Sequence, residues 1–260
     1  MPLREHVREL RNRVLLSAAG VVAGAVLGWI WYPEIFAALQ DPIVDIARER
    51  GQDVLLNFSG VGTALTMQIQ IALFAGALLA SPWWIYQLWA FVTPGLTRSE
   101  RRYTLGFLLA GIPLFLSGAA LSWWLLPKAV GILTSFTPED SVNVIEVQAY
   151  LGFIMRMVLA FGLAFLMPAV MVALTGAGVV RARTWLVGWR WAVLLAFVFG
   201  AVATPTADAY SMFVLAGPIV VLYFAAFGVG TLLDRRRDRR AALREEAVRR
   251  MADGTDGDER

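Results

Sequence analysis

The sequence contains no cysteine and a single histidine, His6. Without a thiol there is no disulfide frame, no thiolate nucleophile and no zinc–thiolate site. With one imidazole, His-based metal clusters and most histidine-dependent catalytic constellations are excluded. Charge is scarce too: 17% of the 260 residues are Asp, Glu, Lys or Arg. Hydrophobic residues make up 58% and the mean hydropathy is +0.62. Those values lie outside the range of ordinary soluble domains.

Several apolar runs reach the roughly 17–25 residues that a helix needs to cross a bilayer. Six spans are predicted, at about 14–33, 66–92, 104–127, 148–175, 187–203 and 210–232. The first has arginines before it, like a secretory signal. Its apolar run is too long for one, ends in Trp31 and Tyr32, and is followed by no clear small-x-small site, so it reads as a retained span. The second would be about 40 Å long, more than the ~30 Å hydrocarbon core, so it should tilt or kink, with Pro82 the obvious place. The fifth carries Trp185, Trp189 and Trp191, which suit an interfacial belt. Only about 13 apolar residues remain, roughly 20 Å. Spans five and six are therefore expected to form a short hairpin across the "TPTADA" turn. The fold class is all-α, a six-helix polytopic bundle with short fifth and sixth helices.

The basic residues fix the orientation. Nineteen of the 23 fall before span one, between spans two and three, from the link after span four to the start of span five (Arg181, Arg183 and Arg190), and after span six; only Arg48, Arg50 and Lys128 lie on the other side, and Arg156 lies inside span four. This asymmetry places both termini in the cytoplasm of a cell whose inner membrane holds the chain. The pI near 9.6 therefore reflects topology rather than a nucleic-acid face. Residues 1–233 form the membrane domain. Residues 234–260 form a charged tail, read as helical and then disordered, whose Arg/Glu mixture suits anionic lipid.

Two carboxylates stand among the cytoplasmic arginines. Glu100 sits in "FVTPGLTRSERR", between Arg98 and the pair Arg101 and Arg102. Glu9 sits in "PLREHVRELRNRV", where Leu3, Val7, Leu10 and Val14 share one face of an amphipathic helix expected to lie at the interface. Glu9 is placed to pair with Arg13 at i,i+4. One reading of both acids is a local salt bridge in a polar rim, worth about 0–1 kcal/mol. The other is a site for a cationic ligand, since each carboxylate accepts a bidentate guanidinium.

"HVRELRNR" at 6–13 and "SPWWIYQLWAFVTPGLTRSERR" at 81–102 resemble the C subunit of the twin-arginine protein translocase, the TatC family. The "TPTAD" turn and the six-span plan are similar as well, and the likeness covers about residues 3–232. The resemblance implies a concave, glove-like bundle and a receptor for signal peptides carrying two adjacent arginines. It implies assembly with single-span TatA/TatB-like subunits and further copies of itself, and export of folded proteins on the proton-motive force, with no cofactor. Glu9 and Glu100 would contact the twin arginines. Arg101, Arg102, His6 and Arg11 would shape the same surface, and Gln87, Phe91 and Pro94 would set the loop geometry. The sequence departs from the family at two places. Relatives carry acids where Leu166 and Phe224 stand, so the polar inner face that meets the single-span partner looks depleted.

Other residues keep two readings. Arg156 either snorkels or pairs, with Glu146 a candidate partner, or lines a polar cavity. Gln68 and Gln70 either hydrogen-bond at the interface or supply inner-face polarity. Asp208 is either a helix cap or a functional group. A secondary transporter would need several mid-membrane ionisable groups and an internal repeat; an intramembrane enzyme would need a nucleophile with a base or a metal pair. The spans hold one arginine and no visible repeat, and no such nucleophile or metal pair, so a small secondary transporter or a six-helix membrane scaffold stays as the alternative to a translocase subunit.

Overall fold

The computed structural model describes residues 3–50, 54–58, 60, 62–92, 101–134, 143–203 and 209–255. Helix α1 runs Leu3–Ile30 and α2 Tyr32–Arg50. Strand β1 (Val54–Asn57) precedes α3 (Thr63–Leu79) and α4 (Ser81–Val92). Then come α5 (Arg101–Thr134), β2 (Asn143–Glu146) and α6 (Val147–Gly176). The short α7 (Ala182–Val187), α8 (Trp189–Ala203) and the long α9 (Ala209–Thr255) complete the chain.

The six expected spans are all present as helices. Four of them, in α1, α5, α6 and α9, are single helices long and apolar enough to cross a membrane. The second is the pair α3 and α4, bent by 63°. The bend falls at Ala80, two residues before Pro82. That proline offers no backbone N–H, and its ring crowds the carbonyl one turn back. The Trp84 indole N–H instead donates to the Ala77 carbonyl at 2.9 Å, which ties the two halves together. The fifth span is α8, only 15 residues long, as its tryptophan-flanked sequence predicts.

Three features differ from the sequence expectation. The amphipathic N-terminal segment is not a separate interfacial helix: α1 continues unbroken from Leu3 into the first span. Between Leu3 and Gly20 there is no Gly or Pro to interrupt it. The sixth helix is not short. α9 has 47 residues, about 70 Å, because the Arg-, Ala- and Glu-rich tail is a good helix former with no Gly or Pro between Gly230 and Gly254. The chain is also not wholly helical. β1 and β2 pair in parallel, Val54 opposite Asn143 through Asn57 opposite Glu146, and clip together the two connections that lie at the far end from the N-terminus. Residues 256–260 of the tail lie outside the described residues.

Helix α6 is the hub. Of its most apolar stretch 56% is buried, against 11% for α1 and 17% for α9. Leu151, Ile154, Val158 and Phe161 pack with Leu39 and Ile43 of α2, Ile71 of α3 and Leu126 of α5. A second cluster joins Ile85 and Trp89 of α4, Phe107 and Phe115 of α5, and Leu166 and Ala169 of α6. Helix α1 is held differently. Gly24 and Gly76 let α1 and α3 approach so closely that a Cβ on Gly76 would lie 2.6 Å from the Ala25 nitrogen, and one on Gly24 would lie 2.9 Å from the Gly76 carbonyl. Small residues at four-residue spacing are a common way for membrane helices to gain contact without a large apolar side chain.

Candidate functional site

The start of α1 lies against the end of α4. Glu9 and Arg13 are one turn apart on α1 and form the expected ion pair at 3.6 Å. Both side chains are about 70% covered, 27% and 30% exposed, so solvent screens this pair and its intrinsic worth is small. What fixes it is a third residue. Arg13 Nη1 donates to Gln87 Oε1 at 2.8 Å, and Gln87 is only 2% exposed. A buried amide oxygen needs a donor, and the guanidinium supplies one. Three residues up α1, on the same approach to α4, His6 stacks on Phe91 with ring centroids 4.7 Å apart and planes 24° from parallel. Trp83 Nε1 donates to the Leu16 carbonyl at 2.9 Å and ties the same two helices further along.

Four of the residues singled out in the sequence, His6, Glu9, Gln87 and Phe91, therefore meet at one place. Arg11 is exposed on α1. Arg101 and Arg102 open helix α5; the positions of their side chains are outside the described residues, as are Glu100, Pro94 and Asp208. The role of Arg13 as a bridge to Gln87 was missed by sequence reasoning. Its signal was Gln87 itself, a lone amide inside the apolar run "IYQLWAF".

A groove of about 540 Å³ runs from this cluster into the bundle. Arg13 and Gln87 form its polar end. Apart from Ser17, whose hydroxyl donates to the Arg13 carbonyl, the rest is apolar, with Leu10, Val14 and Val21 of α1, Trp84 and Leu88 of α4, Phe115 of α5, and Leu159 and Leu163 of α6.

The inner-face candidates do not gather in one place. Leu166 is 3% exposed and packs on α5 in the second apolar cluster. Phe224 is 39% exposed and lies near the Trp189 ring at 6.5 Å between centroids. Arg156 is exposed and donates Nε to the Gly152 carbonyl at 2.9 Å, so its side chain runs back along α6 towards Val147. It lines a separate polar pocket of about 590 Å³ with Gln70, Glu146 and Gln148. Gln68 is half-buried on α3. Among the described residues no group of three or more His, Cys, Asp or Glu side chains is arranged to hold a metal.

A second network escaped the sequence reading. The Ala182 N–H at the start of α7 donates to Asp234 Oδ2 at 2.8 Å. The Trp185 indole donates to Thr175 Oγ1 at 3.1 Å, and the Tyr223 hydroxyl donates to the Trp185 carbonyl. These bonds fasten the connection between α6 and α8 to α9 where the apolar run of α9 ends.

Comparison with known proteins bears on the family and the topology. A family model described as Sec-independent protein translocase protein (TatC) matches residues 5–218. The TatC protein of Xylanimonas cellulosilytica is 54% identical over 242 residues, covering 93% of this chain and 88% of that protein. That of Rothia mucilaginosa is 35% identical over 257 residues, covering 98% and 85%. A crystal structure described as the twin arginine translocase receptor TatC superposes with a TM-score of 0.75 at 31% identity, covering 88% of this chain and 99% of that one. A second, of the same receptor in the detergent DDM, gives 0.75 at 30% identity. The chain therefore belongs to the TatC family, as a multi-pass membrane subunit of the Sec-independent protein translocase.

Proposed function

We propose that this subunit is the signal-peptide receptor and core of its translocase, in the bacterial cytoplasmic membrane with both termini in the cytoplasm. It recognises twin-arginine signal peptides at the α1–α4 cluster, assembles with single-span TatA/TatB-like subunits and other copies of itself, and passes folded cargo across the membrane on the proton-motive force. The observation that carries this reading is the continuity of the Glu9–Arg13–Gln87 cluster with the apolar groove beside it. A signal peptide has the same order: charged arginines, then an apolar segment.

Magnitudes agree with a two-part site. Hydrogen bonds to charged groups net about 1.5–3 kcal/mol each, so two arginines on Glu9 and Glu100 supply roughly 3–6 kcal/mol. Micromolar affinity takes about 8 kcal/mol. The missing 2–5 kcal/mol corresponds to roughly 80–200 Å² of apolar surface at 25 cal/mol per Å², an area the groove is large enough to cover. The test is binding of a twin-arginine signal peptide to the purified chain, with Glu9→Ala, Glu100→Ala, the double variant, and a twin-lysine peptide for comparison. Binding by the wild type alone supports the receptor reading. Equal binding of the lysine peptide, or of the double variant, refutes it.

A further inference from the structure

We propose that the pocket around Arg156 holds the phosphate of a membrane phospholipid, at the membrane face opposite the α1–α4 cluster. Arg156 lies in the apolar run "GFIMRMVLAFG" and is exposed from the bundle. A guanidinium at that position in a bilayer requires water or an anion. Its side chain does not point to the membrane centre. Nε is bonded to the Gly152 carbonyl, and Nη2 lies 3.7 Å from where a Cβ on Gly152 would be. The guanidinium thus rests over Gly152, five residues from the start of α6, about 7.5 Å along the axis. That is the depth a snorkelling arginine seeks, near the headgroup boundary.

The pocket it faces is about 590 Å³ and changes character along its length. Gln70, Glu146, Gln148 and Arg156 line the end nearer the start of α6, and Leu73 and Leu159 lie deeper. The pattern is that of a lipid: a phosphodiester for the guanidinium fork, amide donors beside it, and apolar wall for the upper acyl chain. Arg156 forms no ion pair among the described residues, which leaves its forked donors for an external acceptor. The site is distinct from the peptide groove, which lies on α1 and α4, so this inference stands whether or not Glu9 receives arginines.

The test is lipid retention by the full-length chain in detergent, read by native mass spectrometry as phosphatidylglycerol or phosphatidylethanolamine is added. Wild type and Arg181→Gln are expected to retain one lipid at the same concentration. Arg156→Gln should need roughly ten- to a hundredfold more, the equivalent of one lost charge-assisted contact. Arg156→Lys, which keeps the charge and is the milder change, should fall between them because an ammonium cannot form the fork. Unchanged retention in Arg156→Gln overturns the site, and if that variant does not fold, wild-type retention by Arg156→Lys overturns it. Displacement of the lipid by inorganic phosphate alone would make it a free-phosphate site. Loss of a co-purifying membrane subunit from Arg156→Gln, with lipid unchanged, would assign the guanidinium to a protein carboxylate instead.

Discussion

Arg13 and Gln87 are 74 positions apart in the chain and 2.8 Å apart in space. Their hydrogen bond is the polar link between the first span and the end of the second. It holds Arg13 where Arg13 in turn meets Glu9. The carboxylate is thus oriented by a residue on its own helix, and that residue is oriented by a buried amide on another.

Replacing that amide separates orientation from charge. Gln87→Leu keeps the volume and removes the acceptor, leaving the largely covered Arg13 guanidinium with one partner fewer. The expected cost is about 1–3 kcal/mol of stability. Peptide affinity should also fall, although no acidic residue has been changed. Gln87→Glu should recover most of the stability by restoring an acceptor. Thermal unfolding in detergent, with peptide titration on the same preparations, checks both. Peptide affinity left at the wild-type value in Gln87→Leu would mean that Glu9 needs no such support.

The α1–α3 crossing gives a purely steric prediction. Gly76→Val places methyl groups where the Val21 carbonyl and the Ala25 backbone already lie. Neither backbone is free to move without separating the helices, so a loss of about 1–3 kcal/mol or more is expected from overpacking. Gly217, with nothing within 4 Å of a built Cβ, should accept Ala without loss. Comparing melting temperatures of the two variants tests the assignment, and equal melting would contradict the close crossing.

The spans and the α1 cluster were legible because each rests on a local pattern. Apolar runs report helices of known length, and Pro82 marks the bend within two residues. The i,i+4 spacing alone predicts the Glu9–Arg13 pair. The parallel ladder was not legible. "VLLN" and "NVIE" are four residues each, every paired position, such as Val54 and Asn143, is 89 residues apart, and no local period identifies such a pairing. The unbroken α1 and the long α9 were hidden for another reason. A change from polar to apolar residues suggests a boundary, but the backbone needs a Gly, a Pro or a cap to stop, and neither segment has one.

Asp234 offers a test of the second network. Its carboxylate accepts the Ala182 N–H at the start of a six-residue helix that has too few internal bonds to stand alone. Asp234→Ala should cost about 0.5–2 kcal/mol, the usual range for a lost N-cap acceptor. The loss should be local. Protease sensitivity should rise within residues 177–188, while the melting of the α5–α6 core changes little. Asp234→Asn, which keeps an acceptor oxygen, should restore most of the protection. If sensitivity stays at the wild-type level in Asp234→Ala, the cap does not hold this connection.

Leu166 is one of the inner-face candidates, and its setting predicts what a polar side chain there would do. The leucine is enclosed by the Phe107, Phe115 and Trp89 cluster, and its Cδ1 would lie 3.1 Å from a Cβ on Gly111. Leu166→Ala should cost about 2–5 kcal/mol through lost burial and the cavity left behind. Leu166→Gln keeps more of the volume but brings an amide into an apolar enclosure, where an unpaired polar group costs about 1–3 kcal/mol. Melting temperatures of the two variants in detergent check this. Wild-type melting in Leu166→Gln would mean that the amide finds water or a partner, and position 166 would then be an open inner-face site despite the packing around the leucine.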